Sequence, residues 1–239
     1  MKLIALDTSG PVCGVALLED GSLVYESLVI NRMTHSRNLM PMLEEALTRM
    51  GWQLADADLL ACTVGPGSFT GVRLGVEAVK ATAHALKKKV VPVDALEAYA
   101  YAFRQFDGLI CPIQDARAGQ VYAALFQGGD FARRMEDEPI RLDLLCSRLD
   151  EMKQPCIFVG DGLSVHEKAI EAYPFYMKPL LALPCQRPLH ASWAAELAWQ
   201  RRDTAVDWDQ LEPIYLRAPQ AERQRNLMLQ QGSAEESKA

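Results

Sequence analysis

The stretch VGPGSFTGVRLGV, which runs from Val64 to Val76, joins a predicted strand to a long predicted helix. The apolar run DLLACTVG leads into it, and a short apolar run of this kind is typical of a buried strand. From Phe69 to Leu86 the apolar positions recur at steps of three and four residues. This period predicts one amphipathic helix over Phe69–Leu86, which three lysines close at its negative dipole end.

The glycines and hydroxyls at this corner are typical of an anion site at a helix N-terminus, where free backbone N–H groups point at a phosphate. Ser68 or Thr70 can cap the helix. No Gly-Lys-Ser/Thr follows, so the stretch is not a Walker A loop and lacks a phosphate-binding lysine. Close packing of backbones at a strand-to-helix corner is the alternative explanation for the glycines.

A second candidate for phosphate chemistry is the first predicted strand, KLIALDTS, which ends at Asp7. A carboxylate at a strand end, followed by hydroxyls and a glycine-containing hairpin, can sit beside a cation while turn amides face phosphate oxygens. The plainer interpretation is that Asp7 and Thr8 end the strand and satisfy turn amides. The candidate nucleotide-binding residues from both segments are Asp7, Thr8, Gly65, Gly67 and Ser68.

The apolar pattern divides the chain into two lobes that begin alike. The first hundred residues predict the order β, β, β, α, β, α, β, with a two-residue turn at Asp20-Gly21. After YAFRQFDG the pattern restarts in LICPIQDARAGQVYAALFQGG, again with a strand, an Asp and a hairpin. This repetition predicts a duplicated architecture. We expect a first lobe over 1–103, a second over 104–217 whose end packs back on the first, and a polar tail over 218–239.

Composition places the chain among ordinary globular proteins. Its 239 residues carry a formal net charge of −6, which argues against a large sequence-independent nucleic-acid surface. The six cysteines have no CxxC spacing and most lie in apolar runs, so they are expected to be buried and reduced. MKLIALDTSG is too short for a signal-peptide core, and no apolar run is long enough to span a bilayer. We therefore expect a cytoplasmic protein.

The two predicted helices of the first lobe carry apolar residues on more than one face. The helix over Leu39–Met50 tolerates Pro41 only in its first turn, so it either starts near Asn38 or is kinked. Small residues lie off the main stripe of the second helix and would let another helix approach closely: Gly71, Gly75 and Ala78. Either a partner protein or the interior of a larger lobe covers this extra apolar face.

The remaining polar groups give weaker signals. In DARAGQVY, Asp115 and Arg117 form either a second phosphate-side loop or a pair that holds a turn. The segment FVGDG either brings its backbone to a nucleoside or simply ends a strand. His35 lies in a segment that caps a helix, and His166 has no neighbouring ligand type. No HxxxH, HxH or HExxH motif occurs, so a metal site built on histidine is not expected.

Seven segments in this order resemble the bacterial TsaB family, also called YeaZ: IALDTS…GVAL, HS…LMPML, GPGSFTGVRLG, VDAL, DARAGQVYAALF, VGDG and PIYLR. The resemblance covers the chain from Met1 to Arg217. It implies an α/β, two-lobed actin-like fold of the ASKHA, ribonuclease H-like class, with mixed sheets flanked by helices. This agrees with the repeated strand, Asp and hairpin.

The resemblance also implies a function in tRNA threonylcarbamoyladenosine biosynthesis. Family members bind TsaD, the catalytic subunit that transfers threonylcarbamoyl to N6 of adenosine 37 in tRNAs reading ANN codons, and the ATPase TsaE docks on the pair. TsaB itself is regarded as a degenerate, non-catalytic paralogue. We therefore expect a scaffold with no catalytic residue, metal or cofactor of its own. ATP or ADP and a metal are expected only in the partner subunits or at their interface, with tRNA contacted indirectly and no membrane involved.

The family pattern places the TsaD-binding surface on the two first-lobe helices, which also serve self-association as a possible homodimer. The interface residues it implies here are His35, Leu39, Met42, Leu43, Ala46, Phe69, Val72, Arg73, Val76 and Val79. A rival hypothesis is a stand-alone nucleotide-binding phosphotransferase or ATPase of the actin-like class. That enzyme would use Asp7, Asp115 and the glycine loop.

Overall fold

The first lobe is built on a five-stranded sheet in the order β3-β2-β1-β4-β5. The computed structural model describes residues 1–30 and 34–217. The strands are β1 (Lys2–Asp7), β2 (Cys13–Glu19), β3 (Ser22–Val29), β4 (Leu59–Gly65) and β5 (Lys89–Asp94). The helices are α1 (His35–Met50), α2 (Phe69–Leu86) and α3 (Ala95–Tyr101). Strands β1 and β4 are almost continuously apolar and buried, because helices cover both faces of the sheet.

The second lobe repeats this arrangement with the order β10-β9-β6-β7-β8. Its strands are β6 (Leu109–Arg117), β7 (Gln120–Gln127), β8 (Arg133–Arg141), β9 (Cys156–Val159) and β10 (Leu180–Leu181). Helices α4 (Leu142–Met152) and α5 (Leu163–Ala172) pack on this second sheet, whereas α6 (Ala191–Gln200) packs on the first sheet. In each lobe an antiparallel three-stranded meander is followed by two parallel strands with helices between them.

The two lobes share one topology, which confirms the predicted two-lobed actin-like fold. The first hairpin of each lobe turns through two residues of positive φ, Asp20 (50°) and Gly21 (81°) in one, Ala118 (54°) and Gly119 (71°) in the other. Two such residues make the type I′ turn, whose twist matches that of the strands. The predicted hairpin turns are therefore confirmed.

Two apolar cores position the lobes. One lies between the first sheet and helices α1 and α2. The other runs from the opposite face of the first sheet through α3 and α6 to the second sheet. The chain returns to the first lobe with α6 and stays there afterwards, where Val206 bridges Val90 on β5 and Leu211 is fully buried in the first core. We call residues 206–217 the C-terminal strap.

Helix α2 has the predicted bounds, Phe69–Leu86, whereas the first of the two alternatives for α1, a start near Asn38, is wrong. It begins at His35, not near Asn38, so Pro41 lies in its second turn. Pro41 faces solvent; inside a helix a proline removes one backbone hydrogen bond, and its ring crowds the carbonyl four residues earlier. Five cysteines are buried and free, while Cys185 is free but exposed. Within the described residues no helix is long and apolar enough to cross a membrane. The predicted tail over 218–239 lies outside the described residues.

Candidate functional site

The glycine–proline corner consists of Gly65, Pro66, Gly67 and Ser68. Its backbone packs against other segments of the chain. The Ser68 backbone N–H donates to the Ser9 carbonyl at 2.8 Å, and the Ser68 hydroxyl accepts from the Gly71 N–H at 3.4 Å. A Cβ on Gly67 would lie 2.3 Å from the Ser9 carbonyl oxygen. The corner therefore presses against the end of β1, and glycine is required at residue 67 by that contact.

The small residues of α2 continue this contact along the helix. A Cβ on Gly71 would lie 2.2 Å from the Thr8 carbonyl oxygen, and one on Gly75 would lie 2.5 Å from Thr8 Oγ1. The Thr8 hydroxyl donates to the Gly71 carbonyl at 2.7 Å. The expectation that Gly71 and Gly75 admit another helix is therefore wrong, because they admit the end of the chain's own first strand.

The C-terminal strap covers the outer side of the same corner. The Ile214 N–H donates to the Val64 carbonyl at 2.6 Å, and the Ile214 carbonyl oxygen lies 2.4 Å from where a Cβ on Gly65 would be. The Tyr215 ring packs on the Phe69 ring with centroids 4.5 Å apart. Strap backbone thus occupies the space beside Gly65, while Ser68 and Thr70 at the start of α2 stay exposed.

Asp7, at the end of β1, is fully buried. Its Oδ1 accepts from the Ser9 N–H at 3.0 Å, from the Ser9 hydroxyl at 2.7 Å and from the Thr63 hydroxyl. Its Oδ2 has no hydrogen-bond partner among the described residues. Burial raises the pKa of Asp7, although the hydrogen bonds from Thr63 and Ser9 oppose the shift. The hypothesis that Asp7 serves to accept hydrogen bonds from turn amides thus explains Oδ1 but not Oδ2.

The second lobe places Asp161 opposite Asp7. Gly160, Asp161 and Gly162 join β9 to α5, as Gly65, Pro66 and Gly67 join β4 to α2. Both flanking glycines again press on a neighbouring strand, since their Cβ atoms would lie 2.4 and 2.9 Å from the Ile113 carbonyl oxygen. Burial, and next the charge of Asp7, raise the pKa of Asp161 to about 7. The duplicated fold therefore sets a carboxylate from each lobe at the interlobe cleft.

Tyr99 and Gln114 complete this group, which we call the interlobe cluster: Asp7, Tyr99, Gln114 and Asp161. A Cβ on Gly10 would lie 2.7 Å from Asp161 Oδ2 and 3.8 Å from the Tyr99 hydroxyl. Burial, then the charges of Asp161 and Asp7, raise the pKa of Tyr99 well above its usual value. Sequence reasoning missed Tyr99 and Gln114 and considered only the backbone of VGDG. The Gly-X-Gly spacing shared by both corners was the signal that could have found Asp161.

Asp115 and two histidines lie at the rim of the same cleft. Asp115 Oδ1 is 3.1 Å from His166 Nε2 and accepts the Arg117 backbone N–H at 3.0 Å. Asp115 therefore holds the turn through a backbone bond, and His166 does have a carboxylate neighbour, contrary to expectation. On the first lobe, His35 Nε2 is 3.0 Å from the Gly10 carbonyl oxygen. Among the described residues, no three His, Cys, Asp or Glu side chains are arranged to hold a metal by themselves.

Comparison with known proteins identifies the family. The family model described as "TsaD: tRNA N6-adenosine threonylcarbamoyltransferase" matches residues 30–237. A tRNA threonylcarbamoyladenosine biosynthesis protein TsaB from Bacillus subtilis is 34% identical, over 93% of this chain and 96% of its own length. The Haemophilus influenzae protein of that name is 31% identical, over 91% and 94% of the two chains. The chain belongs to the TsaD-type family, in its TsaB (YeaZ) branch.

Solved structures agree with this TsaB assignment. A Pseudomonas aeruginosa protein described as similar to peptidase YeaZ has a TM-score of 0.75 at 28% identity, over 90% of this chain and 99% of its own. A structure titled YeaZ from Pseudomonas aeruginosa has a TM-score of 0.69 at 26% identity with the same coverage. The fold of this chain is thus the fold of YeaZ.

Most of the side chains expected to form the partner interface are buried inside the chain itself. Seven of the ten are buried in the first core: Leu39, Met42, Leu43, Ala46, Val72, Val76 and Val79. They form the stripe that faces the chain's own sheet, so a charged replacement at Leu43 or Val76 would disrupt folding before it could report on binding. Phe69 and His35 are partly buried, and Arg73 is exposed with its guanidinium 5.0 Å from the Phe69 ring centre.

Proposed function

We propose that this chain is an accessory subunit in tRNA threonylcarbamoyladenosine biosynthesis, which binds and activates a catalytic TsaD-type partner together with the ATPase TsaE. The relatives that are named TsaB support the pathway. In this proposal the chain supplies no catalytic residue, and nucleotide and metal chemistry belong to the partners or to their interface.

One observation carries the accessory role. In the glycine–proline corner, the best nucleotide-loop candidate in the chain, Gly67 presses on Ser9, Gly65 presses on Ile214, and the Ser68 N–H is bonded to the Ser9 carbonyl. An anion site needs free backbone N–H groups and open space in front of them. The fold thus uses for internal packing the backbone segment that a nucleotide-binding relative would use to bind phosphate. A scaffold role follows more directly from this arrangement than a phosphotransferase role.

The proposed docking surface is the solvent-facing side of α1 and α2. A shallow groove of about 460 Å³ runs along α1, lined by Pro41, Glu44, Glu45, Thr48 and Arg49. Met40 on the same helix is 48% exposed, and Arg73 projects from the neighbouring α2. An exposed methionine among charges of both signs is typical of the adaptable surfaces that bind protein partners.

The test measures partner binding with matched variants. We expect Met40→Asp and Arg73→Glu to weaken capture of the cognate TsaD at least tenfold, about 1.4 kcal/mol. Leu144→Asp is the control, because Leu144 is 55% exposed on α4, the counterpart of α1 in the second lobe. Each variant is then added to TsaD, TsaE and tRNA, and adenosine modification is measured with and without this chain. Unchanged capture by both surface variants would refute the docking surface, and unchanged modification without this chain would refute the function.

A phosphotransferase or ATPase is the second candidate, because Asp7 lies near enough to Asp161 across the cleft for its charge to raise the pKa of Asp161. Nucleotide binding and turnover by the isolated chain distinguish the two functions. Micromolar ATP affinity with hydrolysis that Asp7→Ala abolishes would favour the enzyme. No turnover, together with dependence of tRNA modification on this chain, would favour the accessory subunit.

A further inference from the structure

Arginines and aromatic rings form a strip that runs from the first lobe to the second. Tyr215 of the C-terminal strap packs on Phe69 with ring centroids 4.5 Å apart, and the Arg73 guanidinium lies 5.0 Å from the centre of the Phe69 ring. Two residues beyond Tyr215, Arg217 Nη1 donates to the Ala116 carbonyl oxygen of the second lobe at 2.8 Å. We call this set, with the neighbour of Ala116 included, the arginine–aromatic strip: Phe69, Arg73, Arg117, Tyr215 and Arg217.

The guanidinium groups of the strip have no carboxylate within ion-pair distance among the residues that the structure describes. Many arginines elsewhere in the chain do pair with carboxylates: Arg49, Arg133, Arg141, Arg148, Arg187 and Arg201. Asp115 is close to Arg117 in sequence, but it accepts the Arg117 backbone N–H at 3.0 Å and lies 3.1 Å from His166 Nε2. In a chain with a formal net charge of −6, such a group of unpaired arginines fits an anionic partner by charge complementarity.

The aromatic rings indicate the class of that anion. Tyr215 is 37% exposed although its ring packs on Phe69, so part of the side chain is open to another planar group. Unpaired bases stack on aromatic rings and on guanidinium planes, while the phosphates between them attract arginine. A duplex keeps its bases stacked inside, and an acidic peptide would satisfy the arginines but not the ring. The combination therefore favours single-stranded nucleic acid.

The backbone at Arg117 supports a role in binding. Arg117 has a φ of 64° and the next residue, Ala118, a φ of 54°. Few side chains adopt this left-handed region, and turns of this kind favour asparagine, aspartate and glycine. Turn chemistry thus gives no reason for an arginine at this position, where the residue is exposed. Contact with a phosphate would give one.

We propose that the arginine–aromatic strip binds a single-stranded segment of RNA, with an unpaired base on the Tyr215 ring and the flanking phosphates on Arg117 and Arg217. The site recognises charge and stacking, so it positions the RNA without selecting its sequence. Its small size agrees with the net negative charge of the chain, which opposes a large nucleic-acid surface. The choice of RNA rests on the proposed function in tRNA modification, although the resemblance implied only indirect contact with tRNA.

Fluorescence anisotropy with the full chain tests the strip. The probe is a labelled, unstructured RNA of about 10 nucleotides, within the range that single-strand sites cover, and the same RNA annealed to its complement is the duplex. We expect the single strand to bind at least about fivefold more tightly than the duplex. Tyr215→Leu keeps apolar packing on Phe69 and should weaken binding at least about fivefold, through loss of one base–aromatic stack. Arg117→Gln should make the dependence of log K on log salt shallower by about 0.7, the value for one phosphate contact.

Two substitutions of the same kind are the controls and should bind RNA as the parent does. Arg134→Gln removes an exposed arginine near the start of β8, whereas the hairpin that holds Arg117 pairs with the end of β8 at Arg141. Tyr176→Leu removes a tyrosine that is 79% exposed. Circular dichroism confirms that each variant is folded. Arg73 is left unchanged, because it also belongs to the proposed docking surface.

Three results would overturn the proposal. The first is the absence of RNA binding at about 100 µM protein in low salt, the weak end of non-specific nucleic-acid binding. The second is an equal loss of binding in Arg117→Gln and Arg134→Gln. The third is displacement of the RNA by an acidic peptide while Tyr215→Leu binds RNA normally, which would indicate a protein site based on charge alone. Capture of the TsaD-type partner by Arg117→Gln is measured in parallel, so failure of the RNA site and failure of the accessory function are separate results.

Discussion

The contact between Gly75 of α2 and Thr8 at the end of β1 predicts a strong coupling between two substitutions. A Cβ on Gly75 would lie 2.5 Å from Thr8 Oγ1, but 3.8 Å from Thr8 Cβ, which is an ordinary contact. The hydroxyl can move away only by giving up its 2.7 Å hydrogen bond to the Gly71 carbonyl. The alanine methyl group in Gly75→Ala therefore clashes with the Thr8 hydroxyl alone.

The magnitudes follow from these distances. Overpacking costs about 1–3 kcal/mol, and Ala in place of Gly in a helix returns about 1 kcal/mol, so Gly75→Ala should lower the free energy of unfolding by about 0–2 kcal/mol. Thr8→Ala loses one buried hydrogen bond, about 1 kcal/mol. In the double variant the clash is gone and the helical gain remains, so its stability should return near that of the parent. The expected coupling energy is about 1–3 kcal/mol in favour of the pair.

Urea denaturation followed by circular dichroism measures this cycle. Ala81→Gly, on the exposed side of α2, calibrates the helix term and should cost about 1 kcal/mol. Additive effects of Gly75→Ala and Thr8→Ala, within about 0.5 kcal/mol, would show that the glycine is not required by the Thr8 contact. The explanation of the glycine stripe would then be wrong.

Three further substitutions test other contacts. Leu211→Ala in the strap, fully buried, should cost about 2–5 kcal/mol of unfolding free energy, whereas Leu183→Ala, 62% exposed, should change it by less than about 0.5 kcal/mol. Arg133→Met should cost about 3–5 kcal/mol by urea denaturation, because four carboxylates surround that guanidinium and only that of Glu136 is largely exposed. The hydrogen bond that His190 donates to Glu26 raises the pKa of His190 above 6.5, so this pair's stabilisation is complete below about pH 6.5 and is lost as pH rises through the raised pKa. Melting temperatures from pH 6 to 8 should show that loss, and Glu26→Gln should remove it.

Elements with a local cause could be predicted from the sequence. The three- and four-residue spacing gave both ends of α2, because the period and its lysines lie within that segment. The Asp20-Gly21 turn followed from residues that tolerate positive φ, whereas at Ala118-Gly119 only the glycine does. The start of α1 was missed because an exposed proline is tolerated beyond the first turn when only one backbone bond is lost. These successes and errors concern single elements.

The role of each apolar or glycine-rich helix face could not be predicted from the sequence. Periodicity shows that a face is buried, but it does not show which segment or partner buries it. Val76 and Leu43 lie on the stripe that covers the chain's own sheet, and Gly71 lies on Thr8. The strap that closes the glycine–proline corner comes from residues near 214, about 150 positions later in the chain. Only the folded chain brings them together.

By itself, the sequence determined the family, the duplicated order of strands and helices, and the hairpin turns, since motif order, side-chain period and turn chemistry act over short distances along the chain. Tertiary structure alone decided that Gly65 packs against Ile214 and Gly67 against Ser9, that the predicted interface stripe is core, and that Asp7 and Asp161 lie on one cleft. Those outcomes depend on how two lobes and a returning strap pack, and the packing joins residues far apart in sequence whose contacts no local pattern encodes.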